Sequence, residues 1–168
     1  MAASLLLVTL GTLVGCSGSN EAREYDVPKN LCGAPVDPKL ISKLLPPGKT
    51  VEVREKNPVP SRKRCQINID GKAALIASRE WWEKGDSIND VADAHPQLES
   101  AQPGVNDTYL YSGTGGVERV NSCVNRDHTK HTLFTAIQTY GKSVNNADAV
   151  KKLMRAYTRA VENSDECQ

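Results

Sequence analysis

Two imidazoles lie three residues apart in Asp127-His128-Thr129-Lys130-His131. Histidine nitrogen and carboxylate oxygen are zinc ligands, so His128 and His131 are the metal candidates of this chain. No third histidine is close, because His95 falls on a separate helical face. The segment reads as a solvated polar loop, and no cofactor is expected.

Trp81 and Trp82 close a run with strand character. Successive strand side chains point to opposite faces. One indole is therefore expected to pack inward and the other to meet solvent or a groove, where it would stack on a sugar ring or anchor a partner. Arg62, Lys63 and Arg64, with Lys56 before them, form a basic cluster beside two prolines. Such a cluster suits anionic headgroups or wall polymers. These five residues, Trp81, Trp82, Arg62, Lys63 and Arg64, are the candidate ligand-binding set.

No catalytic residue is assigned. The glycine-bearing run Ser112 to Gly116 matches neither the P-loop nor the dinucleotide pattern. There is no G-x-S-x-G. Asp90 and Asp93 sit on an expected helix without an identifiable partner.

The cysteines carry more. There are five: Cys16, Cys32, Cys65, Cys123 and Cys167. An uncharged apolar run from Leu5 to Val14 leads to Leu13-Val14-Gly15-Cys16, the pattern of a lipoprotein signal peptide with its lipobox. About ten apolar residues fit a signal h-region, whereas a membrane-spanning helix needs about twenty. Met1-Ala2-Ala3-Ser4 lacks the usual basic residue, as expected if translation starts a few codons upstream. With Cys16 acylated, four cysteines remain, and an even number suits an oxidising compartment. Four cysteines allow three connectivities. Cys32–Cys65 with Cys123–Cys167 is favoured, since each pair lies within one half of the chain. No spacing is a zinc pattern.

The expected organisation is a signal peptide over 1–15, a lipidated cysteine with a polar tether over 16–30, and one globular domain over 31–168. The formal net charge of +1 gives no global attraction to nucleic acid.

Those residues must be held by a small set of elements. Asp37 and Pro38 open a helix reaching Leu45. Val51 and Val53 suggest a short strand, broken by Asn57-Pro58-Val59-Pro60. Cys65, Ile67 and Ile69 alternate into Asp70-Gly71, a type I′ hairpin signal, and Ala73 to Ser78 returns. Ser87 and Asp90 form a capping box. Strands follow over Tyr109 to Ser112, Val117 to Val124 and Leu133 to Tyr140. Val150, Leu153, Met154, Tyr157 and Val161 mark a long C-terminal helix capped by Asn146. The expectation is an α+β domain: an antiparallel sheet of five to six strands, two to three helices and two disulfides.

The lipobox, then Cys32-Gly33-Ala34-Pro35-Val36-Asp37 before a short helix, the cysteine-bearing strand leading to Asp70-Gly71, and a C-terminal helix ending in cysteine resemble small exported lipoproteins of actinobacteria whose function is unassigned. The resemblance implies an extracytoplasmic, membrane-attached location and a PsbP-like α+β fold, and carries no catalytic residues over. The expected function is a lipid-anchored binding or protein-interaction module of the cell envelope. It would be held to the membrane by lipid, with an envelope protein or wall polymer as partner. The alternatives are an envelope hydrolase whose site is assembled from distant residues, and a metal-binding lipoprotein using His128 and His131.

Overall fold

The computed structural model describes residues 22–141 and 144–167. The expected signal peptide and Cys16 lie outside the described residues.

Asp70 and Gly71 both take positive φ, 49° and 76°, as a type I′ turn requires. They join β4 (Arg62–Ile69) to β5 (Lys72–Glu83) as the central hairpin. The Asp70 carboxylate also accepts from the Lys49 and Thr50 amides, which pins the start of β3 (Val51–Val59) beside the turn. On the far side of β5 pairs β9 (His131–Thr139), followed by β8 (Gly115–Arg119), β7 (Tyr109–Tyr111) and β6 (Gln102–Pro103). The sheet order is β3-β4-β5-β9-β8-β7-β6, and every neighbouring pair is antiparallel. A separate ribbon pairs β1 (Asn30–Leu31) with β2 (Ala34–Pro35).

The fold is α+β, and the main sheet has seven strands rather than five to six. The additional strand β6 is two residues long, too short to show alternation in sequence. β3 also corrects the sequence reading: it runs through Asn57 and Pro58 instead of stopping before them. Pro58 is tolerated because β3 is an edge strand, where a missing N–H deprives no neighbour of a hydrogen bond. The register shifts between Lys56 and Val59. Almost all of β3 is exposed, and its charges and proline blunt an edge that would otherwise recruit other strands.

One face of the sheet carries most of the core. Helix α1 (Pro38–Ser42) starts with Asp37 accepting from the Lys39 amide and ends before Leu45, yet Leu44 and Leu45 remain buried. Helix α3 (Ala147–Glu162) is capped by Asn146 and buries Val150, Leu153, Met154, Tyr157 and Val161. These residues join Leu31, Ile41, Ile67, Leu75, Trp81, Leu133 and Ile137 in one aliphatic cluster. Glycine lets α3 come close. A Cβ at Gly116 would lie 2.7 Å from Met154 Sδ and 3.2 Å from Val150 Cγ1. On the opposite face, helix α2 (Ile88–Asp93), with the complete Ser87/Asp90 capping box, covers a smaller cluster of Val91, Leu98, Leu110, Val117, Phe134 and Ala136.

Folded contacts begin before Leu31. Arg23 donates to the Ser42 and Leu45 carbonyls, and Tyr25 is buried against the core. Arg23 and Tyr25 thus contact the domain from within the 16–30 stretch read from polarity as a tether. Two disulfides staple the domain: Cys32–Cys65 ties the ribbon to β4, and Cys123–Cys167 ties the C-terminus to the loop after β8.

Candidate functional site

β5 continues through Glu83, so its alternation decides where chemistry faces. Arg79 and Trp81 point to the α3 face, while Ser78, Glu80 and Trp82 point to the α2 face. An acidic residue in the middle of a buried strand is costly unless it is paired. Glu80 has a side chain only 1% exposed and is paired from three directions. Arg62, its cross-strand neighbour on β4, donates from Nη2 at 3.0 Å to Oε2. Trp82 Nε1 donates to the same oxygen at 3.3 Å. His95, from the turn after α2, places Nε2 3.4 Å from it, close enough for an ion pair when protonated but poorly aligned for a hydrogen bond.

Burial alone would raise the Glu80 pKa, but His95, Arg62 and Ser78 outweigh it and hold the carboxylate below its usual range. Ser78 is near enough to favour the anion, yet neither Ser78 Oγ nor Glu80 Oε1 completes a hydrogen bond among the described residues. Beside this carboxylate opens a cleft of about 440 Å³, lined by Arg62, Glu80, Trp82, Glu83, Asp86 and His131, with Ser61 and Trp81 also at its border. Trp82 is half-buried, resting partly on the α2 cluster.

The reverse face holds a second ionic cluster. Glu166, from the short turn Asp165–Cys167, accepts from Lys63 Nζ at 2.8 Å and from Trp81 Nε1 at 3.0 Å, and sits 3.5 Å from Arg79 Nη1. Burial would raise its pKa, and Lys63, Trp81 and Arg79 bring it below the ordinary value instead. His128 stacks on Trp81, with centroids 4.4 Å apart and planes 11° apart. Burial and the neighbouring His131 keep His128 less basic than usual.

These placements divide the candidate residues. Trp82 and Arg62 meet at the cleft. Trp81 turns its indole inward, 7% exposed. The basic cluster is split, because Lys63 alternates onto the reverse face while Arg62 and Arg64 stay on the α2 face. Arg64 pairs across the strands with Ser78 and Lys56, and its buried Nε has no partner among the described residues. His128 and His131 meet edge to face at 5.5 Å. Among the described residues no three His, Cys, Asp or Glu side chains converge as a metal site needs.

Glu80, His95, Arg79 and Glu166 were not singled out in the sequence. The usable signal was the Arg79-Glu80 pair inside an otherwise apolar strand, which demands buried partners. Which partners they are depends on His95, 15 positions after Glu80, and on Glu166, 87 positions after Arg79, and local pattern does not reach that far. No family model, curated protein or solved structure matches this chain.

Proposed function

We propose that this chain is a binding module anchored by lipid on Cys16 at the extracytoplasmic face of a cell membrane, with an envelope protein or wall polymer as partner. The observation that carries this reading is the distribution of the cysteines. Cys32, Cys65, Cys123 and Cys167 are consumed pairwise in two disulfides, and disulfides persist in oxidising compartments. The fifth, Cys16, follows the apolar run and the small residue Gly15. No helix among the described residues is long and apolar enough to cross a membrane, and in this reading attachment rests on acyl chains. The proposed kinship with exported actinobacterial lipoproteins rests on the same residues.

Within the domain, the cleft beside Trp82 and Glu80 is the proposed binding locus. A carboxylate held ionised by Arg62 and His95 suits an anchoring acceptor better than a general acid, which needs a raised pKa to carry a proton at neutral pH. That favours binding over hydrolysis.

Fractionation of cells producing Cys16→Ser tests the anchor. Each buried methylene contributes about 0.8 kcal/mol, and several chains together hold a protein almost irreversibly. The variant is expected in the medium or a soluble extracytoplasmic fraction. Retention in the membrane equal to that of the parent chain contradicts the reading.

A further inference from the structure

The chemistry lining the Trp82 cleft narrows what it would bind. One wall is aromatic, and the Nε1–Glu80 hydrogen bond fixes the tilt of that indole. The rim mixes acceptors and donors: the carboxylates of Glu83 and Asp86 stand with the Arg62 guanidinium and the His131 imidazole. Behind them Glu80, almost fully buried, keeps Oε1 without a partner among the described residues. A cation entering here meets Arg62. An anion meets Glu83 and Asp86. A hydroxyl both donates and accepts, so a ring with apolar faces and a hydroxylated edge satisfies wall and rim together.

We propose that this cleft binds a pyranose ring of a cell-envelope glycan, stacked on Trp82 with its hydroxyls on Glu80, Arg62, Glu83 and Asp86. The proposal rests on the reading of the chain as an envelope binding module and names the ligand class of that same site.

The second tryptophan supplies an internal control: Trp81 also borders the cleft, but its indole turns to the opposite face of the sheet, 7% exposed, with its N–H on Glu166. The experiment uses the full chain in detergent micelles, labelled with nitrogen-15, and follows the two indole N–H resonances. They are assigned from the Trp81→Phe and Trp82→Phe variants. Tetrasaccharides of glucose, N-acetylglucosamine and galactose are titrated in turn, with sorbitol as an open-chain polyol. The expected result is a saturable shift of the Trp82 resonance with at least one tetrasaccharide, none with sorbitol, and a stationary Trp81 resonance. Trp82→Ala, checked for an intact circular-dichroism melt, is expected to weaken that binding at least about tenfold. The proposal is overturned if no tetrasaccharide moves Trp82, if sorbitol moves it equally, or if Trp81 responds alike. Its failure leaves the membrane anchor to the separate test of Cys16→Ser.

Discussion

Trp81 and Trp82, adjacent in β5, donate their indole N–H groups to carboxylates on opposite faces of one sheet, Trp81 to Glu166 at 3.0 Å and Trp82 to Glu80 at 3.3 Å. One dipeptide therefore engages a separate ionic cluster on each face of the sheet. Glu166 is enclosed by Arg79, Lys63 and the Cys123–Cys167 disulfide next to it. Both carboxylates border clefts, about 440 Å³ beside Glu80 and about 290 Å³ beside Glu166, and only the first has a tryptophan in its lining.

Glu166→Gln should destabilise the domain by about 2 kcal/mol. Removing one partner of a buried pair costs about 3–5 kcal/mol, discounted here because Lys63 is 44% exposed. The Arg79 side chain, 13% exposed, would lose the carboxylate it faces. Urea unfolding measures this, and an unchanged midpoint would mean that the cluster contributes nothing.

Each disulfide should contribute about 4 kcal/mol by the loop-closure relation, for sequence separations of 33 and 44. The two should differ in coupling. Cys167 is the immediate neighbour of Glu166, so Cys123→Ser/Cys167→Ser and Glu166→Gln are expected to be less than additive in a double-mutant cycle. Cys32→Ser/Cys65→Ser reaches Glu166 only indirectly, through Arg79, whose Nη2 donates to the Cys32 carbonyl, and should show the smaller coupling.

Three buried carboxylates predict opposite pH trends. Glu80 and Glu166 have folded pKa values below the ordinary one. Their stabilisation is complete above the unfolded pKa and is lost as pH falls through the folded pKa. Glu118 is pushed up, by burial first, against the opposing pull of Thr158 and Arg155. The fold thus prefers its neutral form, and its cost grows as pH rises past the unfolded pKa. Glu118→Gln should therefore raise stability at neutral pH, by about 1 kcal/mol or less given the lost Arg155 pairing. The gain should disappear in acid. Denaturant midpoints from pH 7 down to about 3 check both signs; a Glu118→Gln penalty that grows with pH would contradict the assignment.

Local pattern was enough where a feature is local. The Asp70-Gly71 turn, the Ser87/Asp90 box and the Asn146 cap are each set by a few neighbouring side chains, and all are present. The same holds for the strand alternation that separates Trp81 from Trp82. Where a position in the sheet overrides propensity, sequence reading failed: Pro58 continues β3 because only an edge strand lies there. The candidate site was half legible. Trp82 and Arg62 were singled out by type, and Glu80 shares a face with Trp82 by alternation, but Arg62 meets them only through the β4–β5 register, and His95 only through the packing of α2 over β7 and β8 and of the turn after it over β8 and β9. Lys63 was grouped with Arg62 by adjacency, yet adjacency in a strand means opposite faces.

The central claim is that Cys16 carries lipid while the other four cysteines are paired. The most direct test is the intact mass of the membrane-extracted chain without reductant, before and after thiol alkylation. The account predicts a mature chain beginning at a diacylated or triacylated Cys16, with no mass added by alkylation. An unprocessed chain starting at Met1 with alkylatable thiols would contradict it, and the envelope location and the binding-module reading would fall together.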